Sequence, residues 1–275
     1  MPKNGVDKNP DRIRKMFGEI APRYDFLNHF LSLGIDYSWR RKTTHDLFRL
    51  LLPDKRSVLD APILDLATGT GDLAFLFLKT LRKRKIEARF DPLLREKIFP
   101  NRVKDPNSDD LPKIVGVDFV PEMLAEAEKK RAALDDRNEI AFMQGDGLDL
   151  PFESDLFSAV SIAFGLRNMS DTDRGIQEMV RVCRKGGSVA ILEFTMPSFP
   201  IFSSIYRFYF RSILPRIGQM IARNRESAYH YLPSSVSEFD NIEKMKQRLA
   251  GAGLKEITVR SFTLGTVALY IGRKV

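Results

Sequence analysis

Ile63-Leu-Asp-Leu-Ala-Thr-Gly-Thr-Gly-Asp72 is an apolar, branched run that ends in a glycine-punctuated turn and passes into a helical pattern over residues 73–81. A buried strand feeding a tight turn and then a helix is the opening half of a strand-helix-strand unit. Gly69 and Gly71 let the backbone turn sharply and approach a ligand with no Cβ in the way, and the amides at the helix start suit an anionic or polar group. Such a turn also occurs as an ordinary strand-to-helix connection, so the surrounding chain decides its meaning. Further short apolar runs at 114–118, 140–143, 159–163 and 188–193 alternate with helical patterns at 121–133 and 171–183. Pro121 stands where a first helical residue needs no amide hydrogen, and Met123, Leu124 and Ala127 share one helix face. This alternation predicts an α/β fold, a mostly parallel sheet with helices on both faces. A helical stretch at 10–52 precedes the sheet. After it come an aromatic-rich segment at 199–222, a helix near 237–252, and two strands at 256–261 and 267–273 that Gly265 joins as a closing hairpin. The whole chain, 1–275, reads as one domain.

Composition narrows the class. Of 275 residues, 43% are hydrophobic and 29% charged, enough for a packed core and unlike a disordered chain. The single cysteine, Cys183, excludes an internal disulfide framework and a zinc ribbon, and no metal site is expected. Cys183 ends a helical pattern and reads as a small buried residue rather than a nucleophile. The first residues lack the apolar core of a signal peptide, and no run approaches the ~18 apolar residues of a spanning helix. A cytoplasmic protein is the expectation. The net charge of +8 raises the question of nucleic acid or an anionic membrane. Between Lys79 and Lys113, however, eleven basic residues face six acidic ones, so most of the excess is local. Within that region, residues 82–113 carry four prolines and weak periodicity and read as a surface insertion.

Polar residues stand just beyond four of the expected strands. Asp65 lies in the first strand, ahead of Gly69, Thr70 and Gly71; Asp118 ends the second; Asp146 and Gly147 follow the third; Ala163 and then Phe164-Gly-Leu-Arg-Asn168 follow the fourth. All fall on the rim where doubly wound folds bind ligands. Asp118 suits the paired hydroxyls of a ribose, and Asp146 suits an adenine amino group. A dinucleotide fingerprint fails, because Ala74 stands at its third glycine and Asp118 follows Asp65 by 53 residues. Removing the 32 residues 82–113 restores an ordinary spacing of 21.

LDLATGTGD, GVD, GDGLDLPF, FGLRN, RKGG and ILEF, in this order, resemble the motifs of class I S-adenosylmethionine-dependent methyltransferases. With Arg23-Tyr-Asp-Phe-Leu-Asn28, the stretch 34–40, Leu214-Pro-Arg-Ile-Gly218 and Tyr229-His-Tyr-Leu232, the chain is similar to the ubiquinone/menaquinone biosynthesis C-methyltransferases from about residue 13 to 274, the insertion excepted. The resemblance implies a Rossmann-like seven-stranded sheet with an N-terminal helical lid, S-adenosylmethionine as cofactor, and cofactor contacts at Thr70, Asp118, Asp146 and Gly147. It also implies C-methylation of a demethylated polyprenyl quinol, demethylmenaquinol or a benzoquinol. Ala163 stands where the family often has serine, so a hydroxyl contact is missing there. Asp36 and Tyr270 stand where it often has histidine, which removes a proton-transfer role from those positions.

Methyl transfer to a ring carbon needs an aligned, water-free site and a phenolate to enrich that carbon. No cysteine lies near a motif to activate the ring covalently, and the amide clamp of amino-group methylation is absent. Arg167 is the candidate phenolate stabiliser, against a plain surface salt bridge. Asp25 and Tyr24 are candidates for base and ring contact, against a role for Asp25 in capping or in holding Arg23. His230, between two tyrosines, is a candidate proton acceptor by virtue of its ordinary pKa near ~6.5, against simple packing. In 199–222, a stripe of aromatic and aliphatic residues beside Arg207 and Arg211 reads as a lid helix or as an entrance for a polyprenyl tail at an anionic membrane surface. A homo-oligomer or a quinone-biosynthesis complex is a further partner expectation. The alternatives are an RNA-binding or RNA-methylating enzyme, suggested by the basic run 82–85, and a noncatalytic cofactor-binding scaffold.

Overall fold

A computed structural model describes residues 6–53, 58–91, 93–99, 111–134, 137–197 and 228–275. The aromatic segment 199–222, with Arg207 and Arg211, therefore lies outside the described residues. Strand β1 (Ile63–Leu66) is buried at every position because it runs through the centre of a parallel sheet. It pairs in parallel with β2 (Ile114–Asp118) on one side and β4 (Phe157–Ala163) on the other. Outside β2 lies β3 (Ile140–Gln144), and beyond β4 lie β5 (Cys183–Phe194), β7 (Val267–Lys274) and β6 (Leu254–Phe262), giving the order β3-β2-β1-β4-β5-β7-β6. Only β7 runs against its neighbours, and it returns from β6 as the expected hairpin. The seven-stranded α/β architecture with an N-terminal helical portion is as expected.

Successive strand residues point to opposite faces, and each face has its own core. Leu64, Leu66, Val160 and Ile191 pack with Ile176 and Met179 of α7 (Thr172–Val182). Ile63, Ile114, Ala159 and Leu192 pack with Leu47 and Phe48 of α3 (Ile35–Leu51) and Phe77 of α4 (Asp72–Arg84). A third, smaller core joins Ile13, Met16 and Ile20 of α1 (Pro10–Ile20) and Leu27 of α2 (Tyr24–Leu31) to Met123 of α6 (Pro121–Ala132). This third core seats α1 and α2 over the rim of the sheet, while α3 belongs to the second.

Three boundaries differ from the sequence expectation. β5 starts at Cys183 rather than 188, since α7 stops at Val182 and the chain turns directly into the sheet. Cys183 is buried there, and burial pushes its thiol up to about 12. The helix expected near 237–252 starts later, as α9 (Ile242–Gly251), because Asn241 accepts from the Lys244 amide and caps its start, and a separate helix, α8 (Ala228–Glu238), ends just before it. The insertion is not wholly superficial: α5 (Leu93–Ile98) buries Ile98, which joins Leu111 in the core beside α7. Of the basic run, Arg82 pairs with Glu139 at 2.5 Å and Arg84 stacks on Phe48, so two of these cations are committed within the fold. Among the described residues no helix is long and apolar enough to cross a membrane.

Candidate functional site

The carboxyl ends of β1 to β4 open onto one rim. Leaving β1, the backbone takes positive φ at Ala67 (50°), Gly69 (58°) and Gly71 (85°). A Cβ on Gly71 would lie 2.7 Å from the Phe75 ring and 2.9 Å from Phe142, so both backbone and space require glycine. The turn points the Gly69 amide at Asp118, donating to Oδ2 at 2.7 Å, while the Val120 amide donates to Oδ1 at 2.9 Å. Burial outweighs these amides and pushes the Asp118 carboxyl up to about 6, leaving it mostly ionised at neutral pH.

Asp118, Gly69, Asp146, Gly147, Ala163 and Asn168 share a cavity of about 130 Å³. Asp146 Oδ1 accepts from the Leu148 amide at 2.9 Å, and Asn168 Oδ1 is buried with no partner among the described residues. An orphaned acceptor beside a fixed carboxylate is costly unless a ligand donates to it. The donor set fits the adenosine portion of S-adenosylmethionine, with Asp118 for the ribose hydroxyls and Asp146 and Asn168 for the adenine amino group.

Tyr24, Ala67, Gly69, Ala163 and Phe164 also line a second cavity of about 440 Å³, so the two spaces meet at a common wall. Asp65 forms part of its floor, accepting from Thr68 Oγ1 at 2.7 Å and Ser161 Oγ at 2.8 Å, and burial pushes it up to about 6. Its carboxylate complements a cationic methionine portion. The rest is mainly apolar and aromatic: Trp39, Phe164 and Phe194 meet in one corner as tilted and edge-on rings, with Trp39 anchored by its Nε1 donating to Thr263 Oγ1 at 2.8 Å. Into this corner reaches Arg167. It is 5% exposed, pairs with the fully buried Glu193 at 2.9 Å, and leaves Nε buried without a partner. It is thus an interior ion pair, not a surface one. Tyr231 of α8 lines the same cavity, and its buried hydroxyl is also without a partner among the described residues.

Asp25 does not line either cavity. Its carboxylate accepts from Thr70 Oγ1 at 2.5 Å and pairs with Lys130 of α6 at 2.6 Å; Lys130 also holds Asp72 at 2.7 Å. Nearby, Asp36 accepts from Ser32 Oγ at 2.6 Å, contacts His29 Nδ1 at 2.7 Å and pairs with Arg40, contacts that hold its carboxyl below the usual range. These charges fasten α2 and α3 to the start of α4. Tyr270, by contrast, is core in β7 and lines neither cavity. His230 lies in α8, with its side chain outside the described residues.

The sheet therefore gathers Asp65, Gly69, Thr70, Asp118, Asp146, Gly147, Ala163 and Arg167, and the lid adds Tyr24. Sequence reasoning gave no role to Glu193, Asn168, Tyr231 or Lys130. The first two sit inside the quoted ILEF and FGLRN motifs and Tyr231 beside His230, whereas nothing local marks Lys130.

A sequence profile of the ubiE/COQ5 methyltransferase family matches residues 5–274. The chain belongs to that family. It is 39% identical over 264 residues to "Ubiquinone/menaquinone biosynthesis C-methyltransferase UbiE" of Geotalea daltonii, covering 96% of this chain and 97% of the relative. It is likewise 39% identical over 257 residues to "Demethylmenaquinone methyltransferase" of Thermus thermophilus, covering 94% and 99%. A solved S-adenosylmethionine-dependent methyltransferase from Thermotoga maritima, described as a possible histamine N-methyltransferase, matches with a TM-score of 0.56 at 16% identity, over 96% of this chain and 100% of that one. At that identity the likeness concerns the fold, and it agrees with the methyltransferase sheet expected of the family.

Proposed function

We propose that the protein methylates a ring carbon of a demethylated polyprenyl quinol, demethylmenaquinol or a polyprenyl benzoquinol, and meets this substrate at a membrane surface. The observation that carries the reading is the common wall of the two cavities, which sets a smaller slot carrying Asp118, Asp146 and Asn168 against a larger, mainly apolar chamber containing Arg167. S-adenosylmethionine supplies an electrophilic methyl group when bound. Asp118, Asp146 and Asn168 would hold its nucleoside, and Asp65 would balance its positive charge. Trp39, Phe164 and Phe194 hold the flat ring and exclude water, which strengthens every charge in the chamber. Arg167 faces the ring oxygen, favours its phenolate and so enriches the adjacent carbon. Transfer would form the ring carbon–methyl bond as the methyl–sulfur bond breaks and the neutral thioether leaves, and the proton on that carbon would then pass to solvent, restoring the aromatic ring.

Tyr24 acts as a wall and proton donor rather than as a base. Burial raises its phenol pKa, so the neutral form is favoured at working pH. Asp25, held by Lys130 and Thr70, serves to close the lid. Labelled S-adenosylmethionine, incubated under reducing conditions with short-tailed demethylnaphthoquinol and benzoquinol, is expected to place label on ring carbon of at least one. Absence of transfer to both would overturn the reading.

A further inference from the structure

Half of the strongly exposed large apolar side chains among the described residues fall within twelve positions at the junction of α2 and α3: Phe26 (59%), Phe30 (48%), Leu33 (85%), Ile35 (40%) and Tyr37 (53%). Phe26 and Phe30 stack on one another with centroids 5.8 Å apart. Leu33 is the extreme case. Its backbone is left-handed, with φ of 52°, immediately before Gly34 at 73°. Leucine is disfavoured in that conformation and gains nothing from exposure, so the fold itself gives no reason for it. Phe30, Leu33 and Ile35 also line the larger cavity, so the apolar knob borders the chamber assigned to the ring.

A second feature begins one turn further along α3. Ser38, Arg41, Lys42 and His45 follow helical spacing and share a face. That face meets α4 across a groove lined also by Lys79, Lys83, Arg84 and Lys85, and by no aspartate or glutamate. Arg41, Lys42, Lys79, Lys83 and Lys85 are all exposed. From Ile35 to Arg41 is a rise of about 9 Å along the helix, slightly more than the roughly 5–8 Å of one headgroup layer, a difference that long arginine and lysine side chains span. An apolar knob at a cavity edge, followed by unopposed positive charge, matches the two layers of an anionic bilayer surface. Nucleic acid would match the groove but leave the exposed knob unexplained.

We infer that the α2–α3 junction and the α3–α4 groove form a membrane-docking face, with Phe26, Phe30 and Leu33 entering the acyl boundary and Arg41, Lys79 and Lys83 resting among anionic headgroups. The face admits a lipid-tailed substrate directly from the bilayer. The inference rests on the polyprenyl reading for its purpose, but its test does not require turnover.

The protein is to be sedimented with phosphatidylcholine vesicles carrying about one third phosphatidylglycerol, and with pure phosphatidylcholine vesicles. Preferential binding to the anionic vesicles, released at high salt, is expected. Arg41→Glu/Lys79→Glu/Lys83→Glu should lower that partition by about 10-fold or more, and Leu33→Asp should lower it without removing the anionic preference. The triple variant should keep wild-type turnover of a short-tailed, water-soluble quinol. Wild-type protein that binds neither vesicle, or a triple variant that partitions like wild type, overturns the docking face. So does a triple variant that loses affinity for a structured RNA while its vesicle binding stays intact. Failure of the quinol reading would show instead as absent methyl transfer with vesicle binding unchanged.

Discussion

The smaller slot and the larger chamber share a wall but are built differently. The slot is made by strand ends: Asp118 closes β2, Gly69 and Gly147 each lie three residues beyond β1 and β3, and their positions follow from the register of these strands. The chamber is closed by helices, with Tyr24, Asp36, Trp39 and Arg40 arriving from the N-terminal stretch and Tyr231 from α8. One half is fixed by backbone hydrogen bonding and the other by side-chain pairs between separate elements. A ligand bound by the slot should therefore feel few changes outside the sheet. Chemistry in the chamber should depend on contacts between elements far apart in sequence.

The largest expected effect lies where the two constructions meet, at Arg167 and Glu193. Arg167→Leu should lower kcat by about 100- to 1000-fold, the usual loss for a group stabilising developing negative charge. It should also destabilise the fold by roughly 3–5 kcal/mol, because Glu193, which is fully buried, would lose its partner. Arg167→Met combined with Glu193→Leu separates the two effects, since replacing a whole buried ion pair is close to neutral for stability. Thermal unfolding should recover in the double variant while turnover stays low. Recovery of turnover as well would make Arg167 a structural residue, and the chamber would lose its charge stabiliser.

Asp118 tests the slot alone. Asp118→Ala should weaken S-adenosylmethionine binding by about 1.5–3 kcal/mol, the range for hydrogen bonds to a charged group, with kcat at saturation little changed. A pH series sharpens this. The folded carboxyl titrates at about 6, so wild-type affinity should fall as pH drops through that value and the acceptor is protonated. Asp118→Asn should be weaker and should lose the part of that pH dependence carried by Asp118, leaving only the part from Asp65, which titrates in the same range. For folding the sign is opposite: Asp65 and Asp118 both titrate higher in the folded chain than their ordinary 3.8, so each lowers stability as pH rises from about 4 to 6. Calorimetric titration of the cofactor against pH checks the first expectation, and denaturant unfolding of the ligand-free protein checks the second.

The same division explains what could be read in the sequence. Strand runs, the glycine turn and the rim carboxylates are local patterns, so β1 to β4 and the slot residues were legible from spacing. Boundaries set by caps were less so. Asn241 restarts a helix that apolar periodicity alone would continue, and α7 gives way to β5 at Cys183 without a turn signal. Arg167 was visible as a residue, but its burial was not, because Glu193 lies 26 positions away in the next strand. Lys130 reaches Asp25 across more than a hundred residues, and only the folded chain brings a lysine from the last turn of α6 to the lid. Pairs of that kind leave no periodic trace.

That latch supplies the smallest effect and the sharpest choice for Asp25. If Asp25 were the general base, Asp25→Asn would cost about 100- to 10,000-fold in kcat, while Lys130→Met would cost little. As a latch, both variants should leave kcat nearly intact, because each removes the ion pair between α2 and α6, with Lys130→Met somewhat the more affected since it also loses Asp72. Side-chain exposures of 29% for Asp25 and 35% for Lys130 place the pair in partial contact with water, where such pairs contribute about 0.2–1 kcal/mol. The expected outcome for either variant is therefore a rise of about 2- to 5-fold in KM for both substrates, with kcat within about 2-fold. Added salt should shift the wild type toward the variants, since screening weakens an exposed pair but cannot alter a missing one. A double variant no worse than Lys130→Met alone would show that the residues act as one unit. A large kcat loss confined to Asp25→Asn would instead move the carboxylate from the lid into the chemistry, and the chamber would then draw its base from the N-terminal helices.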